Sequence, residues 1–263
     1  MRVPVFHLNV FADRPLSGNP AAVCLLDSWL DDGRLRKVAA ENNLSATAFV
    51  VPVGGSYELR WFTPACEVRL CGHATIASAD ILFTRVHPEL DSMVLHTTFH
   101  GAIRVSREQE LLCMNLPAIP PQPCLLPNGL EVALGLQSRP IAALEANETY
   151  ALVLNEEEEV RSARPDFTLL ERFHPHAVAI TAPGKTSDFV CSYFAPTYGV
   201  PEDSVTGSLQ SSLAPYWAKR LGRSQLHARQ VSERGGELWC EVEESRVLVK
   251  GKCVLTMEAM LEF

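Results

Sequence analysis

The stretch Leu70-Cys71-Gly72-His73-Ala74-Thr75-Ile76-Ala77-Ser78-Ala79-Asp80-Ile81-Leu82-Phe83 decides how the chain is organised. From His73 to Phe83 only Asp80 interrupts a run of small and apolar residues. As a helix, the segment is apolar on most of its sides and has to be surrounded by other structure. It is entered through Gly72. A second segment of the same kind, 208–217, is entered through Gly207 and carries Pro215 where a continuous helix would bend.

Outward from the first of these helices the chain alternates. Phe6, Leu8 and Val10 share one face while Val5, His7 and Asn9 share the other, and Tyr57, Leu59 and Trp61 repeat the pattern. Further strands are predicted at 21–26, 46–51, 93–97, 102–106 and 111–116, bounded by turn residues as in an antiparallel sheet, with a surface helix over 31–42. Five prolines crowd the segment 116–127, too many for a helix or a central strand. Beyond it the pattern begins again, with strands at 150–154, 177–181 and 189–194, a helix near 207–221, and strands at 226–231, 237–243, 246–250 and 254–258.

Two similar halves follow. The expectation is an α+β fold of two pseudo-symmetric antiparallel sheet barrels, each wrapped round a central helix, with a cleft between them. The first barrel is assigned to 1–116, with 252–263 a candidate to complete it, the second to 128–251, and a proline-rich linker to 117–127. Periodicity leaves open the alternative of two unrelated α+β layers.

Composition excludes several classes of function. With 263 residues, 47% of them hydrophobic and 21% charged, the chain can bury ordinary cores and lacks the signature of disorder. Its net charge of −8 is dispersed, and no block of Lys and Arg offers a phosphate-tracking stripe, so nucleic acid is not expected as a partner. No run of 18 apolar residues and no signal peptide is read, which leads to the expectation of a cytoplasmic protein with no membrane partner. The eight cysteines form neither a CxxC pair nor a zinc quartet and are read as reduced thiols, with no metal or cofactor. Asn43-Leu44-Ser45 and Asn147-Glu148-Thr149 match the glycosylation pattern, which means little in a chain that is not exported.

Chemistry concentrates at the two helix entries. Cys71-Gly72-His73 places a thiol and an imidazole at the first, and Asp203-Ser204-Val205-Thr206-Gly207-Ser208 places a carboxylate and hydroxyls at the second. Free N–H groups and the positive dipole end of a helix start favour an anion. Two such starts facing one cleft would grip a small carboxylate from both sides. Read singly, Ser208 or Thr206 is a helix cap, Asp203 a favourable charge at an N-terminus and His73 a satisfied buried histidine.

Gly18-Asn19-Pro20-Ala21-Ala22-Val23, Asn43-Leu44-Ser45, Trp61-Phe62-Thr63-Pro64, Glu67-Val68 with Leu70-Cys71-Gly72-His73-Ala74-Thr75, Asp203 with Val205-Thr206-Gly207-Ser208, and Arg234-Gly235-Gly236-Glu237 together resemble the PhzF family of phenazine-biosynthesis-like isomerases. The resemblance implies a diaminopimelate-epimerase-like fold, a cofactor-free site, a small carboxylate substrate, movement of a proton and a double bond, and a homodimer. By motif matching, Gly72, His73, Gly207 and Ser208 would belong to the substrate cradle, and Asp203 would bind or orient the substrate's amino group.

One position departs from the pattern. The family's acid/base glutamate falls in Asn-Leu-Ser-Glu-Thr-x-Phe, and here the stretch reads Asn43-Leu44-Ser45-Ala46-Thr47-Ala48-Phe49. A methyl group cannot accept and return a proton, so binding could survive where turnover does not. Three accounts stay open: a weakened or inactive paralogue that binds a metabolite or protein, an engineered variant, or a substitute base among His73, Asp203, Glu67 and Cys71. His73 is favoured, because its reference pKa of about 6.5 suits transfer in both directions. Cys-Gly-His is also similar to one half-site of proline-racemase-like epimerases, which keeps a one-base epimerase using Cys71 as a minor alternative. The acids 156–159 are read as a solvated loop or surface strand, and His174-Pro175-His176 as no metal site.

Overall fold

The computed structural model describes residues 1–263 and divides into two compact units, 1–116 with 249–263, and 117–248. The first holds β1 (Arg2–Val10), β2 (Asn19–Leu25), β3 (Ala46–Val53), β4 (Ser56–Phe62), β5 (Glu67–Val68), β6 (Ser92–Thr97), β7 (Gly101–Glu108), β8 (Leu111–Pro117) and, from the chain end, β18 (Cys253–Glu262). Its helices are α1 (Asp32–Asn42) and α2 (Gly72–Ile81). The second unit holds β9 (Gln122–Pro123), β10 (Ala142–Ala146), β11 (Thr149–Val153), β12 (Ala177–Pro183), β13 (Phe189–Ala195), β14 (Val200–Asp203), β15 (Gln225–Gln230) and β16 (Gly236–Val242), and β17 (Arg246–Gly251) begins in it. Its helices are α3 (Leu130–Ala133), α4 (Glu157–Ser162), α5 (Phe167–Leu170) and α6 (Gln210–Leu221).

The two units repeat one plan. In the first, β1–β2, β3–β4 and β6–β7 pair antiparallel while β2–β3 and β4–β6 pair parallel. In the second, β10–β11, β12–β13 and β15–β16 pair antiparallel while β11–β12 and β13–β15 pair parallel. Each parallel pair is joined by a helical crossover, because parallel neighbours cannot be linked by a tight turn. The sheets are therefore mixed, which corrects the antiparallel expectation. Alternation along a strand reports which side is buried and not which way its neighbour runs.

In the first unit, β18 pairs along the length of β1, from Arg2 opposite Glu262 to Val10 opposite Cys253. Phe49 and Val51 of β3 and Ala22 and Cys24 of β2 pack with Leu35 and Val38 of α1. By strand alternation, Ala46, Ala48 and Val50 lie on the opposite face, the side that α2 occupies against β1, β2 and β3. Nearly every residue of α2 is buried, as its composition requires.

Asp80 does not break this helix. The turn passes it, reaches Ile81 and widens into a π-type turn over Leu82–Val86. Burial pushes the Asp80 carboxyl up to about 6, against the opposing pull of Arg85 and Arg107. Its folded value exceeds that of an unfolded Asp, about 3.9, so its stabilising contribution is full below that value and lost as pH rises through about 6. Asp80→Asn, neutral throughout, is expected to raise Tm over the parent protein near pH 8 and to bring no gain near pH 4. An equal difference at both pH values in thermal unfolding would contradict the assignment.

In the second unit Pro215 sits inside α6 without ending it. Proline removes the N–H that would bond to the carbonyl of residue 211. That carbonyl accepts instead from the Ile119 N–H at 2.8 Å. The proline-rich segment thus runs as part of the second unit: Ala118 N–H donates to Ser245, Cys124 N–H to Ala143, and Gln122–Pro123 pairs with β10.

The acids at 156–159 form neither loop nor strand. They open α4, where the Glu159 carboxylate accepts from the N–H groups of Asn155 and Glu156, and Glu157 is 5% exposed, accepting from Arg161 and the Lys185 N–H. Acids in a first turn satisfy free N–H groups and suit the helix dipole. Asn43 ends α1 in the left-handed conformation at φ 47°, and Asn147 and Glu148, at φ 49° and 54°, turn β10 into β11. His176 stacks on Tyr150 and pairs with Glu145 at 2.9 Å. All eight cysteines are unbridged. No helix is long and apolar enough to cross a membrane.

Candidate functional site

In the first unit a polar cluster is built where three separate stretches meet. His73 lies in the first turn of α2, at 5% exposure, and Cys71 at the N-cap makes no side-chain cap bond. The parallel pairing of β2 with β3, Ala21 opposite Ala46, brings Asn19 and Ser45 to the same end of the sheet. His73 Nδ1 is 3.2 Å from Asn19 Nδ2, and His73 Nε2 is 3.2 Å from Ser45 Oγ. Ser45 Oγ in turn lies 2.7 Å from both Asn19 Oδ1 and the Pro20 carbonyl.

Donor accounting then assigns the tautomer. The Asn19 amide N–H donates to Nδ1, so the ring carries its proton on Nε2 and donates to Ser45 Oγ, whose own proton goes to Asn19 Oδ1 or the Pro20 carbonyl. Cys71 Sγ lies 3.5 Å from Nδ1 and 3.8 Å from Nε2, against the ring rather than in line with one N–H. Ala46, at 1% exposure, follows Ser45 directly and offers only a methyl group.

Glu67 is not available as a base. Arg60 grips it with two bonds of 2.7 and 2.6 Å and also reaches Asp32 at 2.9 Å. Two carboxylates beside one guanidinium push Arg60 up.

In the second unit another polar cluster surrounds the end of β14. Asp203 pairs with Tyr193 across the sheet, and its Oδ2 accepts from Thr206 Oγ1 at 2.6 Å. Gln230, 1% exposed at the end of β15, accepts from the Thr206 N–H at 2.8 Å and donates to the Asp203 carbonyl. One buried amide thus frames the turn that carries the carboxylate. Burial raises the neighbouring Tyr193 phenol well above its ordinary value, so it is a donor and not a charge.

Gly207 and Ser208 precede α6 rather than begin it. The helix starts at Gln210, and its entry is tightened by bonds from Gln210 to Gly207, Ser211 to Ser208 and Ser212 to Leu209. Thr206 is not a helix cap, since its hydroxyl is spent on Asp203. Neither Asn19, Ser45 nor Gln230 was assigned a role from the sequence. Asn19 and Ser45 lie inside the Gly18–Val23 and Asn43–Ser45 motifs, while Gln230 carries no local signal.

A duplicated mixed-sheet chain whose halves each open a long helix beside a polar cluster is of the diaminopimelate-epimerase-like class of α+β folds. The chain belongs to the PhzC/PhzF family, phenazine biosynthesis-like protein, whose model matches residues 8–259. An uncharacterised isomerase of Pseudomonas aeruginosa is 46% identical over 261 residues, covering 99% of both chains. The crystal structure of a PhzF family phenazine biosynthesis protein from Enterococcus faecalis superposes with a TM-score of 0.94 at 38% identity, covering 100% of both chains. A hydroxyproline epimerase from Agrobacterium vitis, with bound trans-4-hydroxy-L-proline, shares the fold alone, at TM-score 0.66 and 9% identity over 99% of this chain and 92% of that one.

Proposed function

We propose that the protein is a cofactor-independent isomerase or epimerase that moves a proton on a small carboxylate-bearing substrate, with the half-sites around His73 and Asp203 serving that one substrate. The observation that carries this reading is the closed network of His73, Asn19 and Ser45 at the start of a buried helix. It sets an imidazole with one protonated and one accepting nitrogen beside helix N–H groups suited to a carboxylate. Gly72, Gly207 and Ser208 line the cradle in this proposal, and Asp203, oriented by Thr206 and Gln230, takes the substrate's amino or hydroxyl donor.

His73 is the group we assign to proton transfer in place of the glutamate that the family pattern puts at Ala46. Glu67 is committed to Arg60, and Cys71 packs against the ring without being aligned on one nitrogen. Protonation of Nδ1 requires the Asn19 amide to turn its oxygen toward the ring, so Asn19 and His73 move as a unit. The same proposal has the protein working as a homodimer in the cytoplasm. The buried methyl group of Ala46 supports a second reading, a catalytically silent metabolite- or protein-binding member of the family.

Deuterium exchange separates the two. In deuterated buffer, small cyclic amino acids and dihydroaromatic carboxylates are screened for label incorporation by mass spectrometry. We expect label in at least one compound, and a loss of about 100-fold or more in His73→Asn, in the range a general acid/base supplies. Saturable binding with no exchange in any compound would leave the silent reading standing.

A further inference from the structure

The face of the second unit that α4 covers carries a cavity of about 180 Å³ for which the proposed chemistry has no use. Arg161 and Arg164 line it from the end of α4 and the turn beyond, Ser192 from β13, Glu202 from β14, and Ser232 and Glu233 from the segment after β15. Ser192 shares its strand face with Phe194, which packs in the core cluster of Val160 and Ile180. Glu202 precedes Asp203 on the same strand, so alternation turns the two carboxylates to opposite sides.

Three features mark the cavity as a site. Ser192 is only 3% exposed and brings a hydroxyl to the cavity wall. Glu202 and Glu233 meet no cation, and burial, then Asp203 and Glu233, push the Glu202 carboxyl up. Arg164 meets no carboxylate: its Nη1 donates to the carbonyls of Arg161 and Ala163 at 3.1 and 2.8 Å, while Arg161 is held by Glu157. The lining therefore offers charge of both signs outside any ion pair, together with a hydroxyl.

We propose that this cavity binds a small α-amino acid as its zwitterion, the ammonium group taken by Glu202 and Glu233, the carboxylate by Arg164, and the remaining polar contact by Ser192. A simple anion would face two carboxylates, and a simple amine would face a guanidinium, so a ligand with both charges satisfies the lining best. Size permits it, since a cavity of roughly 150 Å³ admits benzene. The ligand would also touch the segment that holds the Asp203 turn, because Ser232 Oγ donates to the Ser204 carbonyl at 2.7 Å.

Amide-resolved NMR of the full chain tests this with glycine, L-alanine and L-serine, and with ethylammonium and acetate as single-charge probes. We expect saturable shifts of the Ser192, Glu202 and Ser232 amides with at least one amino acid, at a Kd of about 1 mM or tighter, and at least tenfold weaker response to either single-charge probe. Glu202→Gln and Arg164→Gln should each weaken binding about tenfold or more, and Ser192→Ala about threefold or more. His73→Asn should leave it unchanged, which keeps this site separate from the proposed catalytic one. The proposal is overturned if no amino acid shifts these amides saturably, if acetate or ethylammonium binds as well, if folded Glu202→Gln binds normally, or if His73→Asn abolishes the response.

Discussion

Ala46→Glu is expected to raise proton exchange into substrate at least about tenfold, with the 10²–10⁴-fold of a positioned carboxylate as the ceiling. The argument rests on where residue 46 sits. It opens β3 on the face toward α2, follows Ser45 directly, and is 1% exposed. Ser45 already touches His73 Nε2, so a carboxylate added one residue on enters the neighbourhood of the imidazole network. Burial would raise its pKa above the ordinary glutamate value, toward the range where an acid both takes and returns a proton near neutrality. The same burial costs stability: four extra heavy atoms at a packed methyl position are expected to lower it by about 1–3 kcal/mol or more. A variant that folds, loses stability and gains exchange fits the proposed reading. If the parent protein exchanges label, exchange unchanged or slower in a folded Ala46→Glu protein would show that another group has taken over the proton, and that residue 46 lies off its path.

The second large effect is on the fold. Trp217→Ala is expected to destabilise the second unit by about 3–5 kcal/mol, at the top of the range for a core truncation. Trp217 is fully buried, stacks on Phe189 with ring centroids 5.5 Å apart at 8°, and donates from Nε1 to Thr181 Oγ1 at 3.0 Å. Thr181 passes the bond on to the Val190 carbonyl at 2.7 Å. Removing the indole empties the largest side chain of α6 and leaves a buried hydroxyl without its donor. Trp217→Phe, which keeps the stack and loses only the N–H and part of the volume, should recover a good part of the loss. Urea unfolding followed by circular dichroism measures both, and a loss below about 1 kcal/mol for the alanine variant would contradict this account of how α6 is fixed.

Much of this architecture can be read from the chain, and the reasons differ by element. The stretch 73–83 announces a buried helix because its composition leaves no face for water, and the structure buries nearly all of α2. Strand positions follow from alternation, and the duplication follows from seeing the order of elements recur after 117–127. The direction of strand pairing does not follow, because β2–β3 and β4–β6 alternate just as antiparallel strands do. Asp80 and Pro215 look like interruptions in one dimension. Asp80 is carried within the buried helix with its carboxyl pushed up, and the carbonyl that Pro215 frees is met by Ile119, some 96 residues away. The acids at 156–159 resemble a solvated run until Arg161 and the Lys185 N–H are placed around Glu157.

By itself the sequence determined the helix and strand content, the repeat and the family motifs, because each is written in residue types at short spacing. Tertiary structure alone decided that Asn19 and Ser45 enclose His73, that Gln230 frames Asp203, and that Glu67 is consumed by Arg60. Those partners lie far apart or on different strands along the chain. The parallel pairs β2–β3 and β13–β15 and the antiparallel pair β4–β5 bring them within the 3 Å or so over which a hydrogen bond acts.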